Sequence, residues 1–115
     1  MPKKITQLRF RQADRKIFNA IKSGEKRVET RAATTKFLNL KRGDGLRFVC
    51  GKDRFEKQVK KFAIFKSIDE LVKKYKVKEI NPFICSSEDL KKMYYSFPNY
   101  KEKIKKYGII ALELE

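Results

Sequence analysis

The chain has 115 residues, 41% of them hydrophobic and including nine Phe and five Tyr, which is enough for one domain with its own core and too few for two. Lys and Arg number 30 against 14 Asp and Glu, a formal charge of +16 that says little about fold and directs attention to anionic partners: nucleic acid, an acidic surface or anionic lipid. There is no histidine, which excludes Ser-His and Cys-His nucleophile pairs, His-based metal sites and the usual general base near neutral pH.

Cys50 and Cys85 lie far apart with no C-x-x-C neighbour, so a zinc knuckle fails on ligand count and each reads as a small buried hydrophobe in a reducing compartment. Met1-Pro2-Lys3-Lys4 leads into a mixed segment, not the apolar stretch of a signal peptide, and no run approaches membrane-spanning length. The expectation is a cytoplasmic protein without metal, cofactor or membrane contact. Because Lys dominates over Arg, a lysine-rich genome is a competing source of the charge.

In chain order, Ile5 to Phe10 reads as a first short strand, with Ile5, Leu8 and Phe10 in imperfect alternation. Ala13, Ile17, Ala20 and Ile21 then recur at helical spacing, and Phe18 widens the stripe. Asp14 puts acid in the first turn of this helix, Lys22 puts base in the last, and Gly24 stops it. Arg27 to Ala32 reads as the second strand. Alternation sends Val28, Thr30 and Ala32 to one face and Arg27, Glu29 and Arg31 to the other.

Thr34 to Leu40 reads as a loop and Lys41-Arg42-Gly43-Asp44-Gly45 as a tight turn. Leu46 to Cys50 is a third strand, Gly51-Lys52-Asp53 a hairpin connection, and Phe55 to Phe65 a long fourth strand. Ser67 caps a helix from Ile68 to Tyr75, with Glu70 completing a capping box. Asn81-Pro82-Phe83 is a loop, and Ser86 or Ser87 caps a helix carrying Leu90, Met93 and Tyr94 that ends at Phe97-Pro98. Tyr100 to Tyr107 reads as a short basic helix closed by Gly108, and Ile109 to Leu114 as a final strand. Strand, helix, three strands, helices, strand: the order implies a single α+β domain over residues 1–115, a small mixed β-barrel of about five to six strands with helices to one side.

The stretch that carries chemistry is Gly24-Glu25-Lys26-Arg27-Val28-Glu29-Thr30-Arg31, whose fixed positions spell G-x-K-x-x-E-x-R. Gly24 can take positive φ and end the helix, Glu29 and Arg31 share a strand face, and Lys26 can curl back over it from the turn. The plain alternative is a solvated Glu-x-Arg ladder worth well under about 1 kcal/mol. A second alternative is a partly buried ion pair that fixes barrel register and holds no ligand.

In order and spacing this stretch resembles the signature of the ASCH domain family, small modules of the PUA-like barrel superfamily. The pattern Ile80-Asn81-Pro82-Phe83, Leu90-Lys91-Lys92-Met93-Tyr94, Phe97-Pro98 and Tyr107-Gly108-Ile109-Ile110-Ala111-Leu112 is similar to small free-standing archaeal and bacterial members, so the resemblance spans essentially the whole chain. It implies a PUA-like barrel and a ligand cleft beside the signature, in a family associated with RNA and modified nucleotides. Lys26, Arg27, Glu29 and Arg31 are the expected ligand-binding residues, with Gly24 shaping the turn. The guanidinium forks suit phosphate or a base edge. Lys91, Lys92, Lys101 and Lys105, interleaved with Tyr95 and Tyr100, offer a nucleic-acid surface of charge and stacking; the plain reading of the same residues is core aromatics and solvated lysines.

Some small ASCH proteins are amidohydrolases that remove the acyl group from 4-acetylcytidine with the signature Lys, a nearby Thr and a later Glu. Lys26 matches the first and is the one candidate catalytic residue. The Thr position falls on Glu29, Thr30, Thr34 and Thr35 are displaced, and Glu79, Glu88 and Asp89 compete for the later acid. Nuclease activity in parts of the family makes a small ribonuclease using the same cleft a variant of this reading.

Overall fold

The computed structural model describes residues 4–115, and within them the period-two and period-3.6 patterns become strands and helices in the expected order. They are β1 (Ile5–Phe10), α1 (Arg15–Ser23), β2 (Val28–Ala32), β3 (Gly45–Cys50), β4 (Asp53–Phe65), α2 (Ile68–Lys74), α3 (Val77–Ile80), α4 (Ser87–Tyr95), α5 (Tyr100–Tyr107) and β5 (Ile109–Leu114). The strands form one mixed sheet in the order β1-β3-β4-β5-β2, with β1 parallel to β3 and every other pair antiparallel. Thirteen residues of β4 serve two partners in turn. Its first half pairs with β3 and its second with β5, and a register shift between Val59 and Lys61 marks the bend. The sheet therefore curls into a half-barrel of the PUA-like kind, an α+β fold of five strands. Its two edges, β1 and β2, are bridged by Arg31, whose Nη2 donates to the Arg9 carbonyl at 3.4 Å.

Curling gives the sheet two cores. Inside, Leu8, Phe18, Ile21, Leu46, Phe48, Val59, Ile110 and Leu112 pack together, and α1 contributes Phe18 and Ile21. Outside, α2 to α5 lay Leu71, Ile80, Leu90, Tyr94 and Ile104 over Val28, Ala32, Ile109 and Ala111. The alternation in β5 sorts accordingly, Ile110, Leu112 and Leu114 inward and Ile109 and Ala111 toward the helices. Each fully buried side chain of this size contributes roughly 1.5–3 kcal/mol.

Local signals set the ends. Gly24 closes α1 with φ +88° and donates its N–H to the Ile21 carbonyl at 3.1 Å. Ser67 Oγ accepts from Glu70 N–H at 3.2 Å, while Glu70 reaches one residue further than a capping box requires, to Lys66 N–H at 2.9 Å. Of Ser86 and Ser87, it is Ser86 that caps α4, through Asp89 N–H. Ser86→Ala is expected to lower stability by about 1 kcal/mol in a denaturant melt, the usual cost of a lost cap.

Five local expectations need correcting. Arg27 precedes β2 and is exposed; β4 starts at Asp53, two residues early. Thr35–Phe37 forms a 3₁₀ turn within the expected loop, and Val77–Ile80 forms α3, too short to show a hydrophobic period. Cys50 is buried as expected, but Cys85 is exposed.

Candidate functional site

Beyond Gly24 the chain folds back on α1, with Lys26 N–H bonded to the Ala20 carbonyl at 2.9 Å. That turn sends the Lys26 side chain inward, where only 3% of it is exposed. Its ammonium donates to the carbonyls of Val28 and Ile80 and lies 3.5 Å from Glu29 Oε1. Three donors thus meet three acceptors, the arrangement a buried ammonium needs. Burial pushes the Lys26 pKa down, Glu29 opposes that shift, and Arg31 adds to it.

Glu29 stands between two cations. Oε1 also accepts from Thr30 N–H at 3.1 Å, and Oε2 accepts from Arg31 Nε at 3.1 Å. Arg31 is the most open of the three, its guanidinium 4.8 Å from the centre of the Phe10 ring. On the other face of β2 the Thr30 hydroxyl is hydrogen-bonded to the Tyr94 hydroxyl, and burial pushes the Tyr94 pKa up, so this phenol is neutral.

These side chains border a cavity of about 90 Å³. Phe10, Ile17, Met93 and Phe97 give it apolar walls, and Asp14, Asn81, Thr30 and Tyr94 join Lys26, Glu29 and Arg31 as its polar groups. Asn81 is itself buried, its Oδ1 accepting from Phe83 N–H and its Nδ2 donating to Met93 Sδ. Arg11 covers the Phe97 ring at 5.3 Å and pairs with Asp14 at 2.9 Å. The arrangement sets the Glu29 carboxylate and the Arg31 guanidinium side by side under aromatic walls, with the Asp14 carboxylate on the same cavity.

The family model for the ASCH domain matches residues 14–115, a span that holds the whole Lys26, Glu29 and Arg31 constellation. The chain belongs to the ASCH domain family. It is also similar to the crystal structure of hypothetical protein PH0355, with 29% identity, a TM-score of 0.83, and coverage of 96% of this chain and 97% of that one. The solution structure of protein PF0455 from Pyrococcus furiosus is similar at 28% identity and a TM-score of 0.75, covering 96% of each chain. No protein of curated function matches.

In this ASCH domain the other expected residues disperse. Gly24 and Arg27 line a second, wider cavity with Lys57, Lys60, Tyr75, Glu79 and Glu113, for which Lys26 is a shared wall. Arg27 Nε points back to the Gly24 carbonyl at 3.4 Å. Glu79 accepts from Lys76 N–H at the start of α3, and Glu88 and Asp89 occupy the first turn of α4. None of these three acids, and neither Thr34 nor Thr35, lines the cavity at β2. On the helical side Lys91 is paired with Asp69 at 2.7 Å. Tyr100 serves the fold: its hydroxyl accepts from Ala32 N–H at 3.0 Å and its ring stacks on Tyr94. Lys92 is exposed, whereas Tyr95, Lys101 and Lys105 come together in one hollow. Sequence reading missed Asp14 and Phe10 as cavity walls, because they belong to the helix start and to β1 and meet β2 only through curling. Asn81 and Phe97 did carry a signal, as parts of the C-terminal family pattern.

Proposed function

We propose that this ASCH domain binds RNA by receiving the edge of one unpaired base in the cavity at β2. The observation that carries this reading is the pairing of Glu29 with Arg31 inside a cavity of about 90 Å³ walled by Phe10 and Phe97. A cavity of that size takes the polar edge of a base rather than a whole ring, so it sets no preference between pyrimidine and purine. Hydrogen-bond capacity remains for that edge. A carboxylate offers about four lone-pair sites, and Glu29 uses one on Oε2 and two on Oε1. Arg31 spends Nε on Glu29 and one Nη2 hydrogen on Arg9, so further donors are available. Glu29 then accepts from a base amino group and Arg31 donates to a ring carbonyl or a neighbouring phosphate, the readout single-stranded RNA permits. Family membership supports the RNA class of partner.

The test is titration with the four ribonucleoside monophosphates, followed by calorimetry, of wild type and Arg31→Lys. Lys keeps the positive charge beside Glu29 and loses the planar fork. Nucleotides whose base carries an amino group are expected to bind in preference to uridine monophosphate. The variant is expected to bind about tenfold to a hundredfold more weakly, the worth of a hydrogen bond to a charged group, with little change in melting temperature. Equal affinity in the variant would remove Arg31 from the site.

A hydrolytic reading of the same cavity, release of an acyl group from 4-acetylcytidine or cleavage of RNA, draws on Lys26, whose pKa burial pushes down. Against it, the Lys26 donors are engaged by Val28, Ile80 and Glu29, and the Thr30 hydroxyl is tied to Tyr94. A nucleophile with no free base beside it is poorly activated. Purified protein is expected to leave 4-acetylcytidine intact over long incubation, with product read by chromatography; turnover would favour the hydrolase.

A further inference from the structure

We infer that the face formed by α5 and the end of β4 is a docking track for the backbone and unstacked bases of a single-stranded nucleic acid, separate from the cavity at β2. This deepens the reading above and rests on it only for the class of partner. Two adjoining hollows, of about 270 and 440 Å³, share Lys66 and Lys105 and so form one groove. Lys101 and Tyr95 line the first, Lys106 and Tyr107 the second, and no carboxylate lines either.

Charge and aromatic placement select the occupant. Among the described residues, none of the four groove lysines has a carboxylate within ion-pair distance. Four uncompensated ammonium groups along one groove attract a polyanion, which gains by releasing its counterions. Tyr95 and Tyr107 are 45% and 37% exposed, and each carries a lysine ammonium near its ring, Lys101 at 5.6 Å and Lys106 at 5.1 Å. Exposed rings set between cations are the stacking platforms of single-strand binding proteins. A duplex would hide the base faces those rings take, and an acidic peptide would have no use for them.

The experiment measures binding of a short labelled oligoribonucleotide of mixed sequence by fluorescence anisotropy across a salt series. The proteins are wild type, the triple variant Lys66→Gln/Lys101→Gln/Lys105→Gln, and Tyr95→Leu. The triple variant is expected to lose about tenfold or more in affinity, and its slope of log K against log salt should flatten by about 0.7 for each phosphate that is no longer neutralised. Tyr95→Leu is expected to weaken binding about five- to a hundredfold while leaving the slope in place. Both should bind mononucleotides as wild type does, since neither touches the cavity at β2. Unchanged affinity and slope in the triple variant would overturn the track. So would polyglutamate displacing the oligonucleotide at equal charge concentration together with no effect of Tyr95→Leu, because the face would then be a generic acid-binding patch. Failure of the mononucleotide titration in wild type would sink the cavity reading alone.

Discussion

Glu29→Gln is expected to lower the free energy of unfolding at neutral pH by about 3–5 kcal/mol, the cost of breaking a buried charge pair from one side. The wild-type carboxylate sits between the Lys26 ammonium and the Arg31 guanidinium, with Lys26 almost wholly removed from water. The amide is close in shape but leaves two cations facing each other with no counter-charge. Exposed pairs give the scale. Arg47 and Glu56 make a good surface pair at 3.0 Å, and Glu56→Gln should cost less than about 1 kcal/mol.

The deficit is also expected to depend on pH, with a sign that follows from Lys26. Burial already holds its folded pKa below the ordinary value of 10.5, and loss of Glu29, which opposes that shift, lowers it further. Between the folded pKa and 10.5 the unfolded chain binds more protons, so stability rises with pH there. That window is wider in the variant. The difference between wild type and Glu29→Gln should therefore shrink as pH rises through it, measured by urea melts of both proteins at each pH. A small, pH-independent difference would mean that Lys26 and Glu29 do not act as a charge pair.

Gly108→Ala is expected to be the second severe substitution, costing about 3 kcal/mol or more, at the upper end of local backbone strain. Gly108 joins α5 to β5 at φ +83° and ψ −171°, a conformation essentially reserved for glycine. A Cβ there would stand 2.6 Å from the Phe65 carbonyl oxygen and 3.2 Å from Ile64 Cγ2. Phe65 belongs to the β4 ladder that pairs with Ile109, so the carbonyl cannot retreat without disturbing the sheet. Gly24→Ala is the control. Its φ is also positive at +88°, but no atom lies within 4 Å of the added methyl, so only the roughly 1–2 kcal/mol of left-handed strain applies. Thermal melts of the two variants should therefore separate clearly, and equal melting temperatures would show that the clash is relieved.

The local part of this fold was legible because its causes are local. Ser67 and Ser86 cap their helices through neighbours three residues away, and Gly24 and Gly108 stand where the chain must take positive φ. The strand alternation around Glu29 and Arg31 was also legible. What alternation does not reveal is that both faces of β2 are buried, one by the barrel interior and one by the helices, which turns a surface-type Glu-x-Arg pair into an enclosed ion cluster. Lys26 was expected to curl over that face. Its anchoring to the Ile80 carbonyl depended on α3, a single turn that leaves no periodic trace. Tyr100 was misplaced on the surface for a similar reason, since its hydroxyl partner is the Ala32 N–H, distant in sequence. Arg27 shares a face with Glu29 only if the strand begins at 27, and it begins at 28.

The pairing of β2 has a kinetic consequence. Its ladder partner is β5, in the register Val28 to Glu113 through Ala32 to Ile109, and the order of the sheet leaves its other edge free of strands. The segment that carries Glu29 and Arg31 is thus anchored by residues from the far end of the described chain, a pairing of high sequence separation that must wait for loop closure. A chain in which only the β3–β4 hairpin and α1 had formed would hold part of the barrel and lack the cavity at β2. The cavity is complete only once β5 holds β2 in place, so any binding at it would report completion of the fold as well as the chemistry of its lining.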